Sequence, residues 1–353
     1  MERFSDIVRF REKKQMDKDS SRSRNKDKDL WFREFDVRKV EGDQPSPTSE
    51  ASEASGEEPN ARRAYERLRE RARETRKRVR EDQDLDAAGI LSDLEYVLEN
   101  HLLEDLFEYA MMSPEDPGQI LSQILDVTIV ALKLGAGLGY GKQELLDLGL
   151  AAFLENIGMY KIPESIIEKR GRLDEREMAL MREHPILSAK ILSRLGEPFQ
   201  WVSDVALQVH ERADGSGYPK GLKGEEIGEP ASIIGLADTY VAMIKRRPHR
   251  DKFLRADAVK LILKEGKTLF PEKVLKVFLE HISLFPLNTL VRLNNDFIAR
   301  VIATDPGQPL RPTLELLQDG RNAPLRDRKV IRLADHPELS ILEAVDESVL
   351  AGH

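Results

Sequence analysis

The run His210-Glu211-Arg212-Ala213-Asp214-Gly215-Ser216-Gly217-Tyr218-Pro219 constrains this chain more than any other stretch of its length. It does not read as helix. Asp214-Gly215 and Ser216-Gly217 are turn dipeptides, and glycine accepts positive φ and lets a ligand or another backbone come close. Proline after Tyr218 biases that tyrosine toward an extended exit. The flanking chain has apolar residues at helical spacing, Val205 and Val209 before the run among them. Two readings of the loop stand side by side. It is a tight interhelical turn with one packed tyrosine, or it presents Tyr218 and backbone N–H groups to a phosphate or a base.

His184, His210 and Asp238 are 26 and 28 residues apart, and each lies in a segment of helical spacing, such as Ile186, Ala189 and Ile191 around the first. Side chains converging from separate helices are a common way to build a metal site. Imidazole and carboxylate suit zinc, iron, manganese or nickel. Taken singly, such residues more often pack, cap or pair with an arginine than ligate.

Their order along the chain decides between these readings. From about Ile120 to Pro312 the sequence resembles HD-GYP domains, helical metal-dependent phosphodiesterases that open the bacterial second messenger cyclic di-GMP. Leu125, Ile129 and Leu132 match the family's first core helix, and Leu146 to Lys161 the segment that holds its His-Asp pair. Met181-Arg182-Glu183-His184-Pro185 matches the next metal-histidine segment, with Ser188 to Leu192 continuing its helix. After the loop come Gly221-Leu222-Lys223-Gly224, Ala237-Asp238 and Arg247-Pro248-His249-Arg250. Phe285-Pro286 and Thr289-Leu290-Val291-Arg292-Leu293 are similar to the family's C-terminal β element. The resemblance implies a mainly α protein: an HD-superfamily helical bundle with a small β element behind it.

The resemblance also exposes a departure. Where the family has His-Asp, this chain has Glu155-Asn156. The family's aspartate lies between two metals and coordinates both, and two-metal hydrolysis needs anionic oxygens to hold two cations close. Asn156 offers a neutral amide instead. Val209 stands for the first of the family's doubled histidines, Met159 for a lysine, Val241 for an aspartate and Asp126 for an upstream histidine. The retained metal candidates are His184, His210 and Asp238, with Glu155 as a substitute. Three protein ligands plus water is a recognised catalytic pattern, so the set leaves open one divalent transition metal (iron, manganese, zinc or nickel) or none. The ligand-contacting positions survive better: Gly215, Gly217, Tyr218 and Pro219 in the loop, and Arg247 and Arg250, which match the family's phosphate contacts. Arginine grips phosphate oxygens bidentately.

At 353 residues with a net charge of −8 and no cysteine, the chain has room for one large domain with appendages. Disulfides, cysteine-zinc sites and thiol catalysis are excluded. Nothing global points to nucleic acid. No apolar run reads as long enough to span a membrane, no signal peptide opens the chain, and the expected location is the cytoplasm. Residues 1–60 read as a disordered, charged and Ser/Pro-rich segment, with Trp31, Phe32 and Phe35 as an aromatic island that either docks a protein partner or packs on the main domain. Residues 61–113 read as an N-terminal helical region. It begins with an arginine- and glutamate-rich helix over Arg62–Arg80, a surface or coiled-coil helix, and continues as an amphipathic stripe from Leu91 to Leu106. The helical core follows over 118–284, and the β element and tail over 285–353. There Asn294-Asn295-Asp296 between apolar runs is a hairpin signal, and segments at 314–317 and 330–333 add two strands.

Three functions compete. The first is a catalytically impaired module, a pseudoenzyme that binds cyclic di-GMP or regulates. The second is an active phosphodiesterase with an atypical metal centre. The third is a protein-interaction scaffold without nucleotide. The sequence leaves the oligomeric state and the protein partner open.

Overall fold

The computed structural model of the chain describes residues 60–112, 119–169, 171–245, 255–282, 285, 287–305, 308, 310–321, 323–325, 327–345 and 349–350. The charged N-terminal segment, with Trp31, Phe32 and Phe35, lies outside the described residues, as do Arg247 and Arg250.

The helices are α1 (Ala61–Arg80), α2 (Ala87–Glu99), α3 (Leu103–Met112), α4 (Gln119–Gly137), α5 (Lys142–Leu154), the single turn α6 (Glu164–Ile167), α7 (Glu175–Met181), α8 (His184–Leu192), α9 (Gln200–Ala206), α10 (Glu229–Ile244), α11 (Arg255–Glu265) and α12 (Glu272–His281). A 3-10 turn, Ile157–Lys161, follows α5. The helix α4 is the centre. Its Ile124, Leu125, Val127, Ile129, Val130, Leu132 and Leu134 are all but sealed from solvent, and α1, α3, α5, α10 and α12 pack around it. The sequence shows no obvious run of membrane-spanning length, yet Ile120–Gly137 is long and apolar enough to qualify. Two-thirds of it (67%) is buried inside the bundle, which makes it a core helix here.

The N-terminal helices join the same apolar core. The arginine-rich α1 starts where the Asn60 side chain accepts a hydrogen bond from the Arg63 N–H at 2.9 Å, satisfying one of the orphan donors of a helix start. It is not a wholly solvated helix: Ala64, Tyr65, Leu68, Ala72 and Val79 are buried. Arg67 and Arg71 both reach the buried Asp93 of α2, each at 2.8 Å. The stripe from Leu91 to Leu106 is split between α2 and α3 by a turn in which His101 takes φ 54.

Five strands complete the described chain: β1 (Leu290–Leu293), β2 (Ile298–Ala303), β3 (Thr313–Gln318), β4 (Val330–Arg332) and β5 (Ile341–Val345). They form one antiparallel sheet in the order β4-β3-β2-β1-β5. The hairpin and the two added strands stand where the sequence places them; β5, which pairs with β1, carries no comparable sequence signal. Alternate residues of β3 are buried, and Val291, Leu293 and Val301 belong to the common core.

Candidate functional site

Four short junctions bring the motif residues together. Glu155 and Asn156 cap the end of α5 before the 3-10 turn. Gly158 lets α8 approach this turn: its N–H donates to Ser188 Oγ at 2.8 Å, and a Cβ there would lie 2.1 Å from the His184 carbonyl oxygen. His184 is the first residue of α8, which has proline in its first turn. His210 lies in a turn past the end of α9, so its segment is not helical to the end as its spacing implied. Asp238 is within α10.

The side chains of Glu155, Asn156, His184, His210 and Asp238 are all buried. His184 Nε2 and His210 Nε2 are 2.7 Å apart. His184 Nδ1 is 2.7 Å from the Met181 carbonyl oxygen, so that nitrogen carries a proton and donates. Between the two Nε2 atoms one N–H donates to the other nitrogen, and the tautomers of the two rings set which one. His210 Nδ1 is 4.0 Å from Asp238 Oδ2, while Gln123 of α4 donates to Asp238 Oδ1 at 2.8 Å. Asn156 turns its amide nitrogen to Glu155 Oε1, and Glu155 Oε2 is buried without a hydrogen-bond partner. Burial, and then the charge of Asp238, push the Glu155 carboxyl well above the usual carboxylate range.

The loop of residues 210–224 closes over this cluster. Tyr218 stacks flat on His210, with ring centroids 5.0 Å apart and planes 1° apart, and meets His184 edge-on at 6.3 Å. Burial, and then Asp238, raise the Tyr218 hydroxyl's pKa, so it stays protonated. Gly215 takes φ 81, and a Cβ on Gly217 would lie 2.4 Å from the Glu211 Cα; both positions need glycine. The Tyr218–Pro219 peptide is cis. Glu211, itself buried, organises the turn after Pro219. Its Oε1 accepts from the Lys220 and Gly221 N–H groups at 2.6 and 3.1 Å, and its Oε2 from the Leu222 N–H at 3.0 Å. Arg212 pins the loop from below, donating to the Val209 and Glu211 carbonyls and covering the Phe270 ring at 5.0 Å.

This geometry corrects one sequence expectation. The loop's backbone N–H groups are largely spent inside the protein. Those of Lys220, Gly221 and Leu222 go to Glu211, Ser216 to Asp214, Gly215 to the Arg212 carbonyl, Tyr218 to the His210 carbonyl and Gly224 to the Ala213 carbonyl.

Comparison with known proteins fits this geometry. An HD domain family matches residues 102–274, and a family described as a KOW domain associated with HD domain matches residues 290–353. The chain is 31% identical over 198 residues to the cyclic di-GMP phosphodiesterase PdeB of Borreliella burgdorferi, covering 56% of this chain and 52% of that protein. The chain belongs to the HD-GYP family. It is also 31% identical over 144 residues to the 3'3'-cGAMP-specific phosphodiesterase 2 of Vibrio cholerae, covering 40% of this chain and 28% of that protein. In fold it matches Bd1817, a HDG"Y"P protein from Bdellovibrio bacteriovorus, with a TM-score of 0.51 and 17% identity over 62% of this chain and 69% of that one. The chain spans about half the length of the Borreliella relative.

The residues themselves answer whether the family's metals fit. Two histidine Nε2 atoms converge, and Glu155 Oε2 is an orphaned buried oxygen, but no carboxylate stands where two cations would share one: Asn156 offers an amide whose nitrogen faces Glu155. Among the described residues no group of three or more His, Asp or Glu side chains is arranged to hold a metal ion. The donor set does not fit a binuclear centre. Asp126, matched in sequence to an upstream histidine, points elsewhere and pairs with Lys245 at 2.9 Å. The α4 residue that reaches the site is Gln123, one turn earlier. A polar residue between Leu121 and Ile124 on a core helix was the signal available for it. Glu211 was visible in the motif, but its role as a clamp needed the path of the loop.

Proposed function

We propose that this HD-GYP protein is a cyclic-dinucleotide-binding or regulatory module with an impaired hydrolytic centre. One observation carries the reading. At the position where the family needs a metal-bridging carboxylate, a buried amide faces a buried carboxyl whose neutral form is favoured. Such a pair lacks the negative charge that two adjacent cations require. The residues assigned to the ligand are retained beside it. Tyr218 is an aromatic ring held flat against His210, and it is the loop side chain assigned to line the site. Arg247 and Arg250 are assigned the phosphates, and Gly215 and Gly217 allow the ligand to approach.

A second reading, an active phosphodiesterase with a single metal, draws on the approach of His184 to His210 and of His210 to Asp238. Titration of the purified protein with cyclic di-GMP, together with metal analysis and a turnover assay, separates the two. Saturable binding without turnover supports the first reading. Metal-dependent turnover abolished by Asp238→Ala supports the second. Absence of binding leaves a scaffold, and the N-terminal segment becomes the place to seek a protein partner.

A further inference from the structure

We propose that Arg182 is a phosphate-contacting residue of this pocket, the outer member of a layered group formed with Tyr218 and His210. The proposal rests on the cyclic-dinucleotide reading above and names a residue that the family resemblance does not assign. The Arg182 guanidinium carbon lies 5.3 Å from the centroid of the Tyr218 ring, which itself lies flat on His210. Its place is set by the same turn that orients the cluster. Arg182 caps the end of α7, beside Met181, whose carbonyl holds His184 Nδ1 at 2.7 Å.

The charges around Tyr218 point the same way. Two arginines act on its hydroxyl, Arg212 and Arg182. Arg212 is committed to the Val209 and Glu211 carbonyls, the Thr239 hydroxyl and the Phe270 face. Arg182 is only partly buried and sits at the end of α7, a helix with no buried residue. The carboxyl of Asp238 acts on the same hydroxyl, and a ligand with two phosphates can approach it only with a cation beside it. The loop's backbone amides do not supply that charge, because Glu211, Asp214 and neighbouring carbonyls already take them. A guanidinium over an aromatic ring is attracted by the ring's π face and still carries the N–H fork that grips phosphate bidentately.

Calorimetric titration of the full chain with cyclic di-GMP at two salt concentrations tests this, using wild type, Arg182→Ala, Arg182→Lys and Arg176→Ala. Arg182→Ala should weaken binding about tenfold or more and flatten the salt dependence, as loss of one charge-assisted phosphate contact does. Arg182→Lys keeps charge and stem but loses the fork, and should fall between the two; it also covers the case in which the alanine variant is unstable. Arg176→Ala, an exposed cation on the same helix, should match wild type, which separates a contact from general charge. Wild-type affinity and salt dependence in both Arg182 variants would overturn the assignment while leaving the cyclic-dinucleotide reading intact. A wild-type chain that binds no cyclic di-GMP would remove that reading and this assignment together.

Discussion

Replacing Glu211 by glutamine should loosen the whole loop while leaving the helices in place. The Glu211 carboxylate accepts three backbone N–H groups, two at Oε1 and one at Oε2, from within the protein. Glutamine keeps one carbonyl oxygen for the Lys220 and Gly221 N–H groups. It turns an NH2 group toward the Leu222 N–H, donor against donor. Hydrogen bonds to a charged group are each worth roughly 1.5–3 kcal/mol, and neutral ones about half that. Losing one and weakening two should cost about 3 kcal/mol. Urea denaturation of wild type and Glu211→Gln measures this directly, and amide exchange should localise the loss to residues 220–222. Because Tyr218 rides on this loop, cyclic di-GMP affinity should fall in parallel. A change in unfolding free energy below about 0.5 kcal/mol, the range of an ordinary surface substitution, would refute the clamp.

Two further perturbations address the frame around the site. Asp147 of α5 is buried, and burial raises its carboxyl from 3.8 to about 6. The folded protein therefore holds that proton more tightly than the unfolded chain, and stability falls as pH rises from about 4 through about 6. Asp147→Asn removes the ionisation and should be more stable than wild type above pH 6, by about 3 kcal/mol at most, with the advantage gone near pH 4; equal stability at pH 7.5 in thermal melts would refute it. Gly158→Ala places a Cβ 2.1 Å from the His184 carbonyl oxygen and 2.5 Å from the Ser188 backbone nitrogen, so α8 must move away from the 3-10 turn. The expected cost is about 1–3 kcal/mol or more, with perturbed His184 and His210 ring resonances in NMR, and unchanged resonances and stability would contradict it.

Much of this was legible in the sequence because it is local. Turn dipeptides fixed the glycine-rich loop, and the hairpin signal at Asn294-Asn295-Asp296 located β1 and β2. The approach of His184 to His210 and of His210 to Asp238 follows motif order, which stands in for tertiary contacts that spacing alone does not determine. What escaped depends on contacts between distant segments. Gln123 reaches Asp238 across 115 residues, and one turn of helix decides whether it or Asp126 faces the site. The loop's amides looked available to a phosphate because nothing local says that Glu211 folds back on them. The arginines of α1 looked solvated, yet two of them converge on Asp93 because the apolar face of α1 packs the helix against α2. The strand β5 is short, and its pairing partner β1 is about 50 residues earlier in the chain.

Binding and hydrolysis, on this account, have come apart at the Glu155-Asn156 pair. The most direct test is turnover of cyclic di-GMP by the purified chain with added manganese or iron, measured alongside calorimetric binding of the same ligand. The expected result is saturable binding with hydrolysis absent or far below that of intact family members. Robust metal-dependent turnover that disappears in Asp238→Ala would contradict it.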